Sequence, residues 1–463
     1  MEKHKKETMF CRGALTAFAA FGMSILSASS VKADQPSTLN PQLATLNSPI
    51  ISIQERIDAA SAAGGGVVEV PAGVHESSSI LLKSGVTLRL AEGAVLKAKP
   101  AIESYAPTEG HAFILAEHCD RVAIEGPGVI DGAGDAFPAA SLNVYQQPRL
   151  VWFRDSRNVR IENVTLRNGR RWSCYFDRCD GVVARKVTIR STRQKCCDGI
   201  DLECRNALVE DCDIDTQDDA ICFKNRSSDY TVRNVEVRNC RLATNSNFIK
   251  VGTETLGTIR DIRVHHCSFH AASFSFRKMD TWPEAAEYGL VRGPAGLTGI
   301  SLQMNDGGIL ENVHVHDIEM VSGVGSPIAV RLSERKPRIL PGRSALRNIT
   351  IENVRGRTIY RAASSVIGTR NIRPRNVVFR NIDLEVEGSG DCPKAVPEQE
   401  PGSDLRGIFL SVFPAYGFYL RHADGIRFEN VTIRPRGPVS RGVVASDDCT
   451  DVDLNGLRAK ENP

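Results

Sequence analysis

From residue 51 onward, apolar and polar positions follow two periods. The first is helical and brief. Ile53, Ile57 and Ala60 recur at helical spacing within Ile53-Gln54-Glu55-Arg56-Ile57-Asp58-Ala59-Ala60, which predicts one short amphipathic helix. Gly64-Gly65-Gly66 breaks it, and Val67-Val68-Glu69-Val70-Pro71-Ala72-Gly73 opens a run of strands and turns. Gly85-Val86-Thr87-Leu88-Arg89-Leu90 is a second strand with alternating faces.

The strands then repeat. Val159-Arg160-Ile161-Glu162-Asn163-Val164-Thr165-Leu166 shares its frame with Val235-Glu236-Val237-Arg238-Asn239-Cys240-Arg241-Leu242. The frame returns at 262–269, 313–318, 349–354, 377–382 and 426–431, and Cys212, Cys240 and Cys267 are 28 and 27 residues apart. Each unit is strand, Asn-or-Asp turn, strand. One unit cannot bury its own apolar side chains, so units must stack. The predicted fold is all-β, a single-stranded right-handed parallel β-helix with the short N-terminal helix capping the first coil. Asn163, Asp211, Asn239, Asp317, Asn353, Asn381 and Asn430 are expected to form a ladder along one edge, because Asn and Asp tolerate left-handed backbone and bond their own chain. Cys212, Cys240 and Cys267, just inside that turn, are expected to stack as small buried hydrophobes. The stretches 277–297 and 385–406 interrupt the period and read as long loops leaving the stack.

Superposing the coils exposes the chemistry. Asp198-Gly199-Ile200-Asp201-Leu202 lies over Asp219-Ala220-Ile221-Cys222-Phe223, then over Asn247-Phe248-Ile249-Lys250-Val251, then over Thr298-Gly299-Ile300-Ser301-Leu302. Adjacent rungs are about 4.8 Å apart. One column is therefore Asp198, Asp219, Asn247, Thr298, with Asp218 beside it; the next is Asp201, Cys222, Lys250, Ser301. Close carboxylates push at least one pKa upward, which keeps a general acid protonated near neutral pH. Glycoside hydrolysis needs such an acid and a carboxylate base. An acidic turn ladder or a calcium site is the plainer alternative, but Asp218 and Asp219 fall outside the ladder phase set by Asp211.

Composition narrows the context. A net charge of +3 over 463 residues gives no argument for a nucleic-acid partner. Lys3, Lys5, Lys6 and Arg12 precede an apolar run over 14–28 and then Val31-Lys32-Ala33, the pattern of a secretory signal. The expected organisation is thus a signal peptide over 1–33, a linker over 34–50 and the β-helix catalytic domain over 51–463. The mature protein is expected to be secreted or periplasmic, monomeric and without a membrane span. Thirteen cysteines, Cys11 among them, leave twelve in a compartment that permits disulfides, with pairing undetermined. No CxxC…CxxC or HExxH spacing points to a metal site.

The whole mature chain resembles the polygalacturonase family, glycoside hydrolase family 28. The resemblance runs from Ala63-Gly64-Gly65-Gly66 and Val70-Pro71-Ala72-Gly73 through Gly126-Pro127-Gly128-Val129-Ile130-Asp131-Gly132 and centres on Asp198-Gly199 and Asp218-Asp219. It implies a metal-independent, cofactor-free inverting hydrolase of pectic polysaccharide, with Asp218 as general acid and Asp198 and Asp219 activating the attacking water. The chain also departs from the family. Asn-Thr-Asp-Gly becomes Cys196-Cys197-Asp198-Gly199, Gly-Asp-Asp becomes Gln217-Asp218-Asp219, and Gly-His-Gly becomes Ser246-Asn247-Phe248. The family's Arg-x-Lys pair, which faces the substrate carboxylate, falls on Ser301 and Gln303. Asp201, Asn247, Lys250, Gln303 and Arg331 are accordingly the expected substrate-binding residues, with Lys250 and Arg331 as substitute cations. Arg170, Arg171, Arg193 and Lys195 are further cations for acidic sugars, and Trp172 is either a sugar-stacking face or a core aromatic.

The expected function is a secreted glycoside hydrolase acting on pectin-like polysaccharide. Two alternatives share the scaffold: a polysaccharide lyase or uronate epimerase, kept open by Lys250, and a non-catalytic carbohydrate-binding β-helix.

Overall fold

The computed structural model describes residues 51–460 apart from 106–109, 138–146, 275–294, 336–342, 361, 389–395, 400–401 and 403–411. The expected signal peptide and linker lie outside the described residues, as does most of both expected loops.

The helix is Ile53–Ala62. Ser52 and Glu55 close a capping box: Ser52 Oγ accepts from the Glu55 N–H at 3.2 Å, and the Ser52 N–H donates to Glu55 Oε2 at 2.7 Å. Its buried residue, Ile57, packs on the first strands and covers the open end of the core. At the exit, Gly65 holds φ +123° and a Cβ there would meet the Gly85 carbonyl oxygen at 2.6 Å, so the first coil closes only over glycine.

Strand pairing is parallel throughout the described ladders. Gly66–Val70 lies in register with Val86–Leu90, and Val86–Leu90 with the strand Asp120–Glu125. The same pattern continues coil on coil to Leu457–Ala459, which pairs with Ala415–Arg436. The result is a parallel β-helix with one continuous aliphatic core. Aromatic rungs stack within it: Phe153 on Phe176 at 5.3 Å and Phe248 on Phe269 at 4.7 Å between ring centroids.

The turn ladder is present. Asn163, Asp211, Asn239, Asp317, Asn353, Asn381 and Asn430 all have φ between 51° and 56°. Side chains bond rung to rung: Asn353 Nδ2 to Asp317 Oδ1 at 3.0 Å, Asn381 Nδ2 to Asn353 Oδ1 at 3.1 Å, and Asn430 Nδ2 to Asn381 Oδ1 at 2.9 Å. A second left-handed corner carries its own ladder, with Asn234 Nδ2 on Asn206 Oδ1 at 2.8 Å and Asn348 Nδ2 on Asn312 Oδ1 at 3.1 Å. Cys212, Cys240 and Cys267 are buried inside the first corner, each thiol directed at the carbonyl two residues back. All eleven described cysteines are free thiols.

One wall differs from the rest. Elsewhere strands alternate buried and exposed positions, as in Thr231–Arg238. In Ile221–Asn225 every position is buried, as are Asn247–Gly252 and Gly299–Met304. Side chains that point outward from the core there are covered too. That covered wall carries the acids.

Candidate active site

Register places the acidic columns as expected. Ile200 pairs with Ile221 and Asp201 with Cys222. Cys222 pairs with Lys250, Lys250 with Ser301, and Asn247 with Thr298. The Gly199 N–H donates to the Asp219 carbonyl at 2.9 Å, so Asp198 stands directly over Asp219.

Each acid is held differently. The Asp218 carbonyl accepts from Thr216 Oγ1 at 2.7 Å and Thr244 Oγ1 at 2.6 Å, which pins its backbone, and its side chain is half-buried. Asp219 is buried, and its Oδ1 accepts from the Asn247 N–H at 3.1 Å and from Asn247 Nδ2 at 2.6 Å, which fixes the carboxylate plane. The amide of Asn247 also donates to Ser246 Oγ at 3.2 Å, and its buried Oδ1 has no hydrogen-bond partner among the described residues.

Asp198 and Asp201 are buried around a residue that the sequence reading passed over, Lys224. Its Nζ lies 3.3 Å from Asp198 Oδ2, 3.4 Å from Asp201 Oδ1 and 3.5 Å from Glu254 Oε2. The same ammonium sits 4.7 Å from the ring centroid of Trp172. Burial pushes the Asp198 carboxyl well above the usual range, the charge on Asp201 adds to that, and Lys224 opposes it. Burial likewise carries Asp201 up to about 6 against the pull of Lys224. Glu254 goes the other way, down to about 2: burial raises it, but the Lys224 charge and a backbone N–H outweigh that. The signal for Lys224 was available, since it lies two residues beyond Cys222 in the outward phase of the strand Ile221–Asn225. What the phase alone did not reveal is that the outside of this wall is covered.

Carboxylate oxygens of Asp198 and Asp201 and the Cys222 thiol lie within 4.8 Å of one another, the spacing of a metal nest. The donor set does not suit one. Burial raises the Cys222 thiol well above its ordinary range, its Sγ donates to the Gly252 carbonyl at 2.9 Å, and the Lys224 ammonium already supplies the positive charge.

The expected substrate-binding residues fall on the same wall. Asp201 and Gln303 have no exposed surface, and Lys250, Asn247 and Arg331 are almost as deeply buried. Lys250 is one rung above Ser301, and Arg331 one rung beyond Gln303. Gln303 Nε2 donates to Ser301 Oγ at 2.6 Å, and burial lowers the Arg331 guanidinium to about 9. Trp172 is core rather than open platform. It is 6% exposed, edge-on to Tyr175 at 5.0 Å, with the guanidinium groups of Arg149 and Arg171 4.8 and 4.4 Å from its ring centroid. Of the other four cations, Arg171 is buried on that ring and Arg193 lies 3.8 Å from Asp135.

The sequence model of the family described as Glycosyl hydrolases family 28 matches residues 62–289, a span that includes all three acids and Asn247 and ends before Ser301, Gln303 and Arg331. An endo-polygalacturonase of Pectobacterium carotovorum subsp. carotovorum is 30% identical over 212 residues, 42% of this chain and 52% of that protein. The chain thus spans about half the length of the curated relatives it matches. Among solved structures, a Yersinia enterocolitica family 28 exopolygalacturonase superposes with TM-score 0.65 at 18% identity, over 87% of this chain and 75% of that one. A hyperthermoactive exopolygalacturonase from Thermotoga maritima superposes with TM-score 0.62 at 20% identity, over 82% and 87%. Both share the β-helix fold. Over residues 62–289 the chain thus matches glycosyl hydrolase family 28, at the low identity of a divergent relative.

Proposed function

We propose that the protein is an exported glycoside hydrolase that cleaves pectin-like, galacturonate-containing polysaccharide with inversion at the anomeric carbon. One observation carries the reading: Asp198 and Asp219 stack on adjacent rungs of a covered wall, with the half-buried Asp218 beside them. Asp218, the most accessible of the three, protonates the leaving glycosidic oxygen. Asp219, oriented by Asn247, takes the proton of the attacking water together with Asp198, and the Asn247 amide oxygen accepts from that water or from a sugar hydroxyl. Lys224 opposes the effect of burial on Asp198 and so favours its carboxylate form.

Asp218→Asn removes the acid while preserving shape. It is expected to abolish release of reducing ends from polygalacturonate and related pectins with unchanged thermal unfolding. Full activity in that variant sinks the assignment. A lyase or epimerase reading rests on Lys250, whose buried amine lies one rung from Ser301 in the same column. An unsaturated, ultraviolet-absorbing product would favour it.

Export follows from the basic and apolar residues of 1–33, and the β-helix from residue 51 is the catalytic unit, acting as a monomer. No helix among the described residues is long and apolar enough to cross a membrane.

A further inference from the structure

A second cluster of chemistry-bearing side chains lies on a different wall, in the strand Thr258–His270 and the strand Ile309–Leu332 that pairs with it. His265 is in register with His316, and their rings stack at 4.7 Å with an interplanar angle of 2°. His266 is the left-handed turn residue beside them, at φ 53°. One ring nitrogen from each of the three lies within 4.8 Å of the others, and the Nδ1 atoms of His265 and His266 are 2.7 Å apart.

The far nitrogens are held by carboxylates. His265 Nε2 is 2.9 Å from Glu236 Oε1, and His316 Nδ1 is 2.7 Å from Asp317 Oδ2. If those nitrogens carry the ring protons, the lone pairs are on His265 Nδ1 and His316 Nε2. Carboxylates that fix the tautomer and turn the other nitrogen outward are the usual support of metal-binding imidazoles.

We infer that His265, His266 and His316 form a surface site for a divalent transition metal of the zinc class, with Glu236 and Asp317 holding two of the rings. Metal–nitrogen bonds of about 2.0–2.1 Å place ligand nitrogens roughly 3.3–4 Å apart, so the site forms by small ring rotations. His266, with 58% of its side chain exposed, is able to make the largest of them. The fourth position is left for water.

A purely structural role explains less. Along this wall Arg238 pairs with His265 and His316 with Glu352, so two stacked rings bridge a column of charged side chains. That role needs His265 and His316 but not His266. At the His266 position the other coils place Asp211, Asn239, Asp317 and Asn353, and Asn239 and Asn353 bond the preceding rung at 3.3 and 3.0 Å. His266 stands 3.8 Å from Asp317 and interrupts that ladder. A third imidazole placed against the ladder pattern is what a metal site requires and a spacer does not.

The test is calorimetric titration of the tag-free full-length protein with Zn²⁺, with Co²⁺ as a spectroscopic probe. The expected result is one equivalent bound with a visible cobalt d–d band from imidazole ligation. His266→Asn suits the left-handed turn and keeps the fold. It is expected to weaken Zn²⁺ binding at least tenfold, and Asp317→Asn roughly 10–100-fold, with unchanged circular dichroism. Binding of the same affinity in His266→Asn and His316→Gln, or no stoichiometric binding to the wild type, overturns the inference.

Discussion

Arg331 lies one rung beyond Gln303 in the same outward column, and both side chains are buried in the covered wall. Gln303 and Ser301 stand where the family resemblance leads one to expect Lys and Arg. The chain therefore keeps cations near that place but moves them: Lys250 one rung before Ser301, Arg331 one rung after Gln303. A displacement of about 4.8 Å is on the scale of a sugar ring. The acids keep their stacking, so on the proposed reading the acid–base groups and the carboxylate-binding cations occupy different rungs of this wall.

If Arg331 meets a substrate carboxylate, Arg331→Gln should cost a charge-assisted hydrogen bond, about 1.5–3 kcal/mol. That is roughly a 10–100-fold loss in kcat/KM on uronate-containing oligosaccharides. The loss should fall mainly on KM, and neutral oligosaccharides cleaved by the enzyme should show none. Steady-state kinetics on matched acidic and neutral substrates checks it.

Lys224 is the sole described cation within salt-bridge distance of Asp198 and Asp201. Lys224→Met leaves two buried carboxyls without their counter-charge and should destabilise the fold by about 3–5 kcal/mol. The urea midpoint should drop accordingly, and Asp198→Asn added to Lys224→Met should recover part of it. Additive losses in the double variant would mean that the pair is not coupled.

The parts of the fold that the sequence made legible are those written in a repeat. Asn163, Asn239, Asn353 and Asn430 share one phase because a left-handed corner accepts few other residues, and that phase alone orders the coils. With the coils ordered, period two delivers Asp198 over Asp219 without further information. The covering of the wall, and with it the burial of Lys224, was not legible. Strand phase states which side chains leave the core, and whether the outside is then covered depends on segments far away in the chain. Trp172 is the same case: its buried state follows from Arg149, Arg171 and Lys224 gathering on one ring from three different coils.

The first ladder has a separable energetic signature. Asn353 bonds Asp317 below and receives Asn381 above while holding φ 52°. Asn353→Gly keeps the backbone conformation and loses both side-chain bonds, a cost of about 1–2 kcal/mol. Asn353→Ala loses the same bonds and adds about 1–2 kcal/mol for a left-handed Cβ. Chemical denaturation should therefore rank wild type above Gly and Gly above Ala. Equal stability of the two variants would remove backbone conformation from the account.

The acids of the covered wall also set a pH dependence with a definite sign. Asp201 has no exposed surface, and burial lifts it from 3.8 to about 6 against the charge of Lys224. A carboxyl whose folded pKa exceeds its unfolded value binds the proton more tightly in the folded state. Its contribution is fully present below the unfolded value near 3.8 and is lost as pH rises through about 6. Asp201→Asn is neutral at every pH and carries no such contribution. The stability difference, wild type minus Asp201→Asn, should therefore fall as pH rises from 4 to 7 and level off above that. Differencing cancels the many surface acids, whose depressed values act in the opposite sense. Urea midpoints for both proteins at half-unit pH steps check it. A difference that stays flat across this range would mean that Asp201 is ionised throughout, held so by Lys224.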